Sequence, residues 1–163
     1  MLILFFLLAV STTAQVQLLP DSSYVQDGAL VLRFKLTNAT DHTVSLTIDK
    51  RRSLRQLNAP HTADDLLSSI PLNFVSFYHK DVFMDEEPAG CDNQLPQSET
   101  IQLQQGQVYP LLFQTHCLSE TVLTQLNKGN TLQYKMYIHY EESGMMQTVK
   151  TERVKLKVKK PKF

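Results

Sequence analysis

Tryptophan is absent from this chain of 163 residues, glycine occurs only five times and cysteine only twice. Net charge is also missing, because sixteen Lys and Arg balance sixteen Asp and Glu. A neutral chain has no long-range field with which to gather nucleic acid, whose binders carry a basic face, so no nucleic-acid partner is expected. The scattered glycines build neither a phosphate-cradling loop nor a nucleophile elbow, and no His-Glu-x-x-His or Cys-x-x-Cys spacing occurs. Low glycine with 42% hydrophobic residues argues against disorder and low complexity. No apolar run reaches the roughly 20 residues that cross a bilayer, so no transmembrane anchor is expected in the mature chain.

What is present begins with MLILFFLLAV, an apolar run followed by Ser11-Thr12-Thr13-Ala14. Small residues at Thr12 and Ala14 fit a signal-peptidase site, although no Lys or Arg precedes the apolar core. The expectation is a signal peptide at 1–14, a mature start at Gln15, and a secreted or periplasmic location. Residues 15–163 are expected to form a single domain with a short basic C-terminal tail. About 150 residues suffice to bury roughly two-thirds of the unfolded surface. In an exported chain Cys91 and Cys117 are expected to form one disulfide, the alternatives being free thiols or soft-metal ligands. Closing that loop would contribute roughly 3–4 kcal/mol in the chain-entropy model.

Period-2 alternation dominates the rest. Over 29–37 Leu30, Leu32, Phe34 and Leu36 point one way and Arg33, Lys35 and Thr37 the other, and Val44, Leu46 and Ile48 point inward over 42–49. Between them Asn38-Ala39-Thr40-Asp41 is turn chemistry and also fits the N-glycosylation acceptor pattern. Residues 15–24 read as an opening strand and loop, and 72–84 as a strand of muddled phase, either covered on both faces or carrying a bulge near His79. Residues 100–117 read as strand, Gln105-Gly106 turn, strand. Leu132, Tyr134, Met136, Ile138 and Tyr140 give the cleanest strand. In the closing segment Val149 and the set Val154, Leu156, Val158 are out of phase by one residue, which predicts a bulge or kink within 150–153. Two short helices are expected, near 63–69 and from the Ser119 cap to Asn127, with Gly129 at the C′ position.

This pattern predicts an all-β, two-sheet sandwich of about seven strands with two short helical insertions and one disulfide. The segments LRFKLTNATDHTVSLTI, TIQLQQGQVYPLLF and YKMYIHY with VKLKV resemble secreted immunoglobulin-like and fibronectin-like β-sandwich modules. The resemblance implies an immunoglobulin-like architecture and no particular chemistry, since such folds host many functions.

Candidate sites are few. Asp81, Asp85, Glu86, Glu87 and Asp92 form an acidic loop, of which Asp85, Glu87 and Asp92 are the first residues to test for a hard cation. The loop lacks the ligand spacing of an EF-hand, so a solvated loop without metal is the expectation, and no cofactor is expected. His42, His61, His79, His116 and His139 show no ligand spacing. The basic C-terminal run is expected to protect an exposed strand edge, the functional alternative being a stripe for an anionic surface. The expected function is a non-enzymatic binding or structural accessory module for an unknown protein or glycan. Two alternatives stand beside it: an inhibitor or chaperone-like module presenting a loop or sheet edge, and a small hydrolase or metal-dependent enzyme with a dispersed site.

Overall fold

The computed structural model describes residues 16–26, 28–52, 54–56, 72–84, 97–116 and 118–158. Alternation decides its inner surfaces. In β2 (Ala29–Asn38) Leu30, Leu32, Phe34 and Leu36 are buried, while Arg33 and Lys35 between them are exposed. That strand pairs along one side with β1 (Val16–Gln26) and along the other with β8 (Val108–Thr115), giving a first antiparallel sheet.

The second sheet is built on β9 (Leu132–Glu142). One side of β9 pairs first with β5 (Asn73–His79) and then, at Glu141, with β3 (Val44–Asp49). β7 (Ser98–Leu103) adds to β3, and the short β4 (Leu54–Gln56) and β6 (Val82–Met84) add end to end along β5. Its other side pairs with β10 (Met145–Lys150) and then β11 (Val154–Val158). The all-β, two-sheet expectation therefore holds, with eleven strands among the described residues instead of about seven. The core lies between the sheets, where Phe34 meets Phe113 at 5.9 Å and Tyr134 of the facing sheet at 6.3 Å, both edge to face. Such pairs add about 0.5–1.5 kcal/mol each beyond their buried area.

Two corners carry the chain between sheets, from β2 to β3 and from β7 to β8. Asn38 ties them together. Its Nδ2 donates to His42 O (2.7 Å) and to Leu103 O (2.8 Å), and its Oδ1 accepts from Thr40 N (2.8 Å). Its carbonyl accepts from Gly106 N at 2.8 Å, where the second corner turns with φ +70° at Gly106. Glycine meets that positive φ without steric cost.

The predicted irregularity in the closing segment is present and has a mechanism. Lys150 faces Tyr137 and Val154 faces Tyr134, so residues 151–153 oppose only Lys135 and Met136. One extra residue restores the inward phase of Leu156. Buried Thr151 repairs the ladder, donating its N–H to Met136 O (3.0 Å) and accepting the Met136 N–H on Oγ1 (3.1 Å).

The helix α1 (Glu120–Asn127) forms as expected. Ser119 Oγ accepts from Val122 N, and Val122 and Leu126 are buried. At its C-terminus Gly129 N donates to Leu126 O (2.9 Å) and Asn130 N to Gln125 O (3.0 Å), the Schellman arrangement. The helix expected at 63–69 and both cysteines lie outside the described residues.

Three expectations give way. Residues 72–84 are a hairpin and not one bulged strand, because Lys80 (φ +48°) and Asp81 (φ +66°) form a two-residue turn between β5 and β6. The opening strand extends to Gln26 and pairs with Ala29 across a tight turn in which Gly28 has φ +76°. β11 is not an edge: it pairs with β9 on one side and, in parallel, with β1 on the other, joining the two sheets.

Two substitutions test these joints in urea denaturation. Asn38→Ala leaves buried Leu103 O without its donor and is expected to cost about 1–3 kcal/mol. Thr151→Val keeps the side-chain shape but orphans the Met136 N–H, with a similar expected loss.

Candidate functional site: the open seam between the sheets

The joint at β11 closes only one end of the sandwich. β1 meets β11 at Tyr24 and Val25, opposite Lys157 and Val158. Farther along, the first half of β1 pairs only with β2, and β10 pairs only with β9, among the described residues. Two strand edges without ladder partners therefore face each other. Between them lies a groove of about 1250 Å³, floored by Val16, Leu18, Tyr140 and Val149 and rimmed by His42, Glu142, Gln147, Lys150, Glu152 and Lys155.

The two walls differ in how they discourage strand pairing. β1 contains Pro20 and a register shift between Pro20 and Ser22, both of which disfavour edge-to-edge addition. Met145–Lys150 contains neither proline nor bulge and a single charge, Lys150. The exposed edge of β8, by comparison, is interrupted by Pro110.

Tyr140 on the groove floor is pushed up to about 12 by burial and then by the Glu142 charge, so the phenol stays protonated at neutral pH. At the rim His42 Nδ1 bonds Asp41 Oδ1 at 2.9 Å, which holds the exposed Asp41 carboxyl below its usual value. Thr40 Oγ1 is committed to Asn38 Oδ1 at 2.6 Å. What the groove offers a ligand is main-chain N–H and C=O groups along two strand edges, an apolar floor and mixed charges.

Of the sequence candidates, His42 stands on the groove rim and His61 lies outside the described residues. Asp85, Glu86, Glu87, Asp92, Cys91 and Cys117 lie outside the described residues. Asp81 sits in the β5–β6 turn and pairs with Arg153, whose guanidinium lies 4.2 Å from the Tyr78 ring centroid on the outer face of the second sheet. His42, His79, His116 and His139 stand on separate strands or corners. Among the described residues no group of three or more His, Cys, Asp and Glu side chains is placed to hold a metal ion.

Asn38, the glycan-acceptor candidate, is fully buried with both Nδ2 hydrogens donated, so a glycan on that nitrogen is incompatible with the corner. Arg52, in the cation run Lys50-Arg51-Arg52 that ends β3, turns inward to pair with Glu99 beside the Tyr109 ring. No local pattern announces either the seam or this pairing, since both depend on strands far apart in sequence.

β9 departs from simple alternation, because Tyr137 and His139 on its outward face are also buried. The His139 ring meets Phe74 edge to face at 5.3 Å, and its Nε2 has no hydrogen-bond partner among the described residues.

No protein-family model matches the chain, and no curated protein is significantly similar to it.

Burial lowers the His139 pKa from the ordinary histidine value. Below about pH 6.5 the unfolded chain takes a proton that the folded chain refuses, so stability falls as pH drops from there toward the lowered value. The slope from this residue is at most about 1.4 kcal/mol per pH unit. His139→Phe, which keeps an aromatic ring against Phe74, is expected to flatten that part of a stability–pH curve measured by urea denaturation.

Proposed function

We propose that this chain is an exported, non-enzymatic β-sandwich module that binds a protein partner along the open seam. The observation that carries the reading is the groove itself, a long concavity walled by two strand edges without ladder partners. Backbone edges of that kind are satisfied by another extended polypeptide, whose main-chain groups give affinity while alternate side chains enter the groove. Of the binding modes considered from sequence, presentation of a sheet edge fits this geometry best. A small solute would leave most of the edge groups unpaired.

Export is supported by the apolar run and small-residue site at 1–14. The immunoglobulin-like reading is supported by the two corners, which fall within the segments that carry the resemblance, and by β11 running parallel to β1. A Cys91–Cys117 disulfide belongs to the same reading. Thiol titration of the denatured, unreduced mature protein is expected to find no free thiol, and two would remove the bridge.

Partner binding is tested by photo-crosslinking. A photoreactive side chain at Gln147, on the groove rim, is compared with one at exposed Thr124 of α1 in material from the native compartment. The expected result is a discrete protein adduct from position 147 and none from 124. Equal labelling at both positions, or none at 147, would sink the seam as the binding site.

A further inference from the structure

The outward face of the first sheet is a second surface, which meets the seam at Leu19 and Lys155. The register places Leu19, Lys35 and Pro110 in one cross-strand row and Ser22, Arg33 and Leu112 in the next. Val108 lies one row beyond, opposite Thr37. Leu19 is 47% exposed and Val108 and Leu112 are each 49% exposed, three of the five large apolar side chains most open to water among the described residues. They share one face, and no described element covers them. Isolated exposed leucines need no explanation, but several large aliphatics on one sheet face do.

Charge on this face is one-sided. Among the described side chains of β1, β2, β8 and β11 one acidic residue, Asp21, stands against Arg33, Lys35 and Lys155. Asp21 is bonded to Lys35 at 2.9 Å, which leaves exposed Arg33 and Lys155 without a carboxylate partner among the described residues. The chain as a whole is neutral, so this imbalance is a local arrangement and not a consequence of composition.

We propose that this sheet face docks peripherally on an anionic lipid surface, with Leu19, Val108 and Leu112 entering the headgroup layer and Arg33 and Lys155 meeting lipid phosphates and carboxylates. Charge complementarity selects an anionic partner. The aliphatic side chains select a bilayer over an acidic glycan, because a hydrated polysaccharide offers them no apolar phase. The docking is weak and reversible, since three partly exposed aliphatics bury far less than a lipid chain does.

The test is co-sedimentation of the mature protein with vesicles of phosphatidylcholine alone and with about a third phosphatidylserine. Binding is expected only to the anionic vesicles and should be lost in high salt. Arg33→Glu with Lys155→Glu should weaken partition at least roughly 30-fold, from about 1 kcal/mol per cation removed. Leu112→Ser should weaken binding while leaving its salt dependence intact. Both variants alter exposed positions, and an unchanged melting temperature separates lost docking from lost folding. Failure to bind the anionic vesicles, or binding indifferent to the charge reversal, would overturn the proposal. So would retention on a sulfated oligosaccharide resin without vesicle binding, or loss of apolar exposure through self-association abolished by Leu112→Ser.

Discussion

One buried amide holds the two halves of this sandwich in register. A chain that leaves one sheet for another abandons its ladder partners, and the peptide groups at the crossing need substitutes. Two crossings occur side by side, and Asn38 serves both. Its side chain bonds the corner it belongs to through His42 and Thr40, and the other through Leu103. Its backbone carbonyl holds Gly106. Without that side chain the two corners would be tied directly only by the backbone bonds of Asn38 to Gly106 and Gln107.

At the opposite side the sheets are joined by a strand. β11 is the only described element with ladder partners in both sheets, and it reaches β1 at just two residues. The sandwich is consequently closed along part of one flank and open along the rest. The seam and the joint are thus one feature seen from two ends. The same strand also contributes Lys155 to the outward face of the first sheet, so both proposed contact surfaces meet at β11 while facing different directions.

Much of this was legible in the residues. The alternations in β2, β3 and β9 named the inward side chains correctly, the Ser119 cap and Gly129 bounded α1, and the phase slip beyond Val149 located the bulge. The misses share a cause: each rests on information that local sequence does not carry. Lys80-Asp81 turns with positive φ at both residues and contains no glycine to signal it. Pro20 and Asp21 made the opening strand look interrupted, although a bulge accommodates them. Alternating lysines in β11 looked like edge protection because a parallel pairing with residues far earlier in the chain leaves no local trace. Tyr137 and His139 sit at positions that alternation assigns to solvent, yet both are buried.

The bulge at Thr151 makes the length of a three-residue connection a matter of odd and even. Before it, Val149 points inward and Lys150 outward; after it, Leu156 points inward and Lys155 outward. Losing one residue between them would invert every later position at once, carrying lysines into the core and Leu156 into water. Losing two would preserve the facing while shortening the reach to β1. A segment that looks like an ordinary irregularity is therefore less tolerant of a single deletion than of a double one, and composition alone gives no hint of that asymmetry.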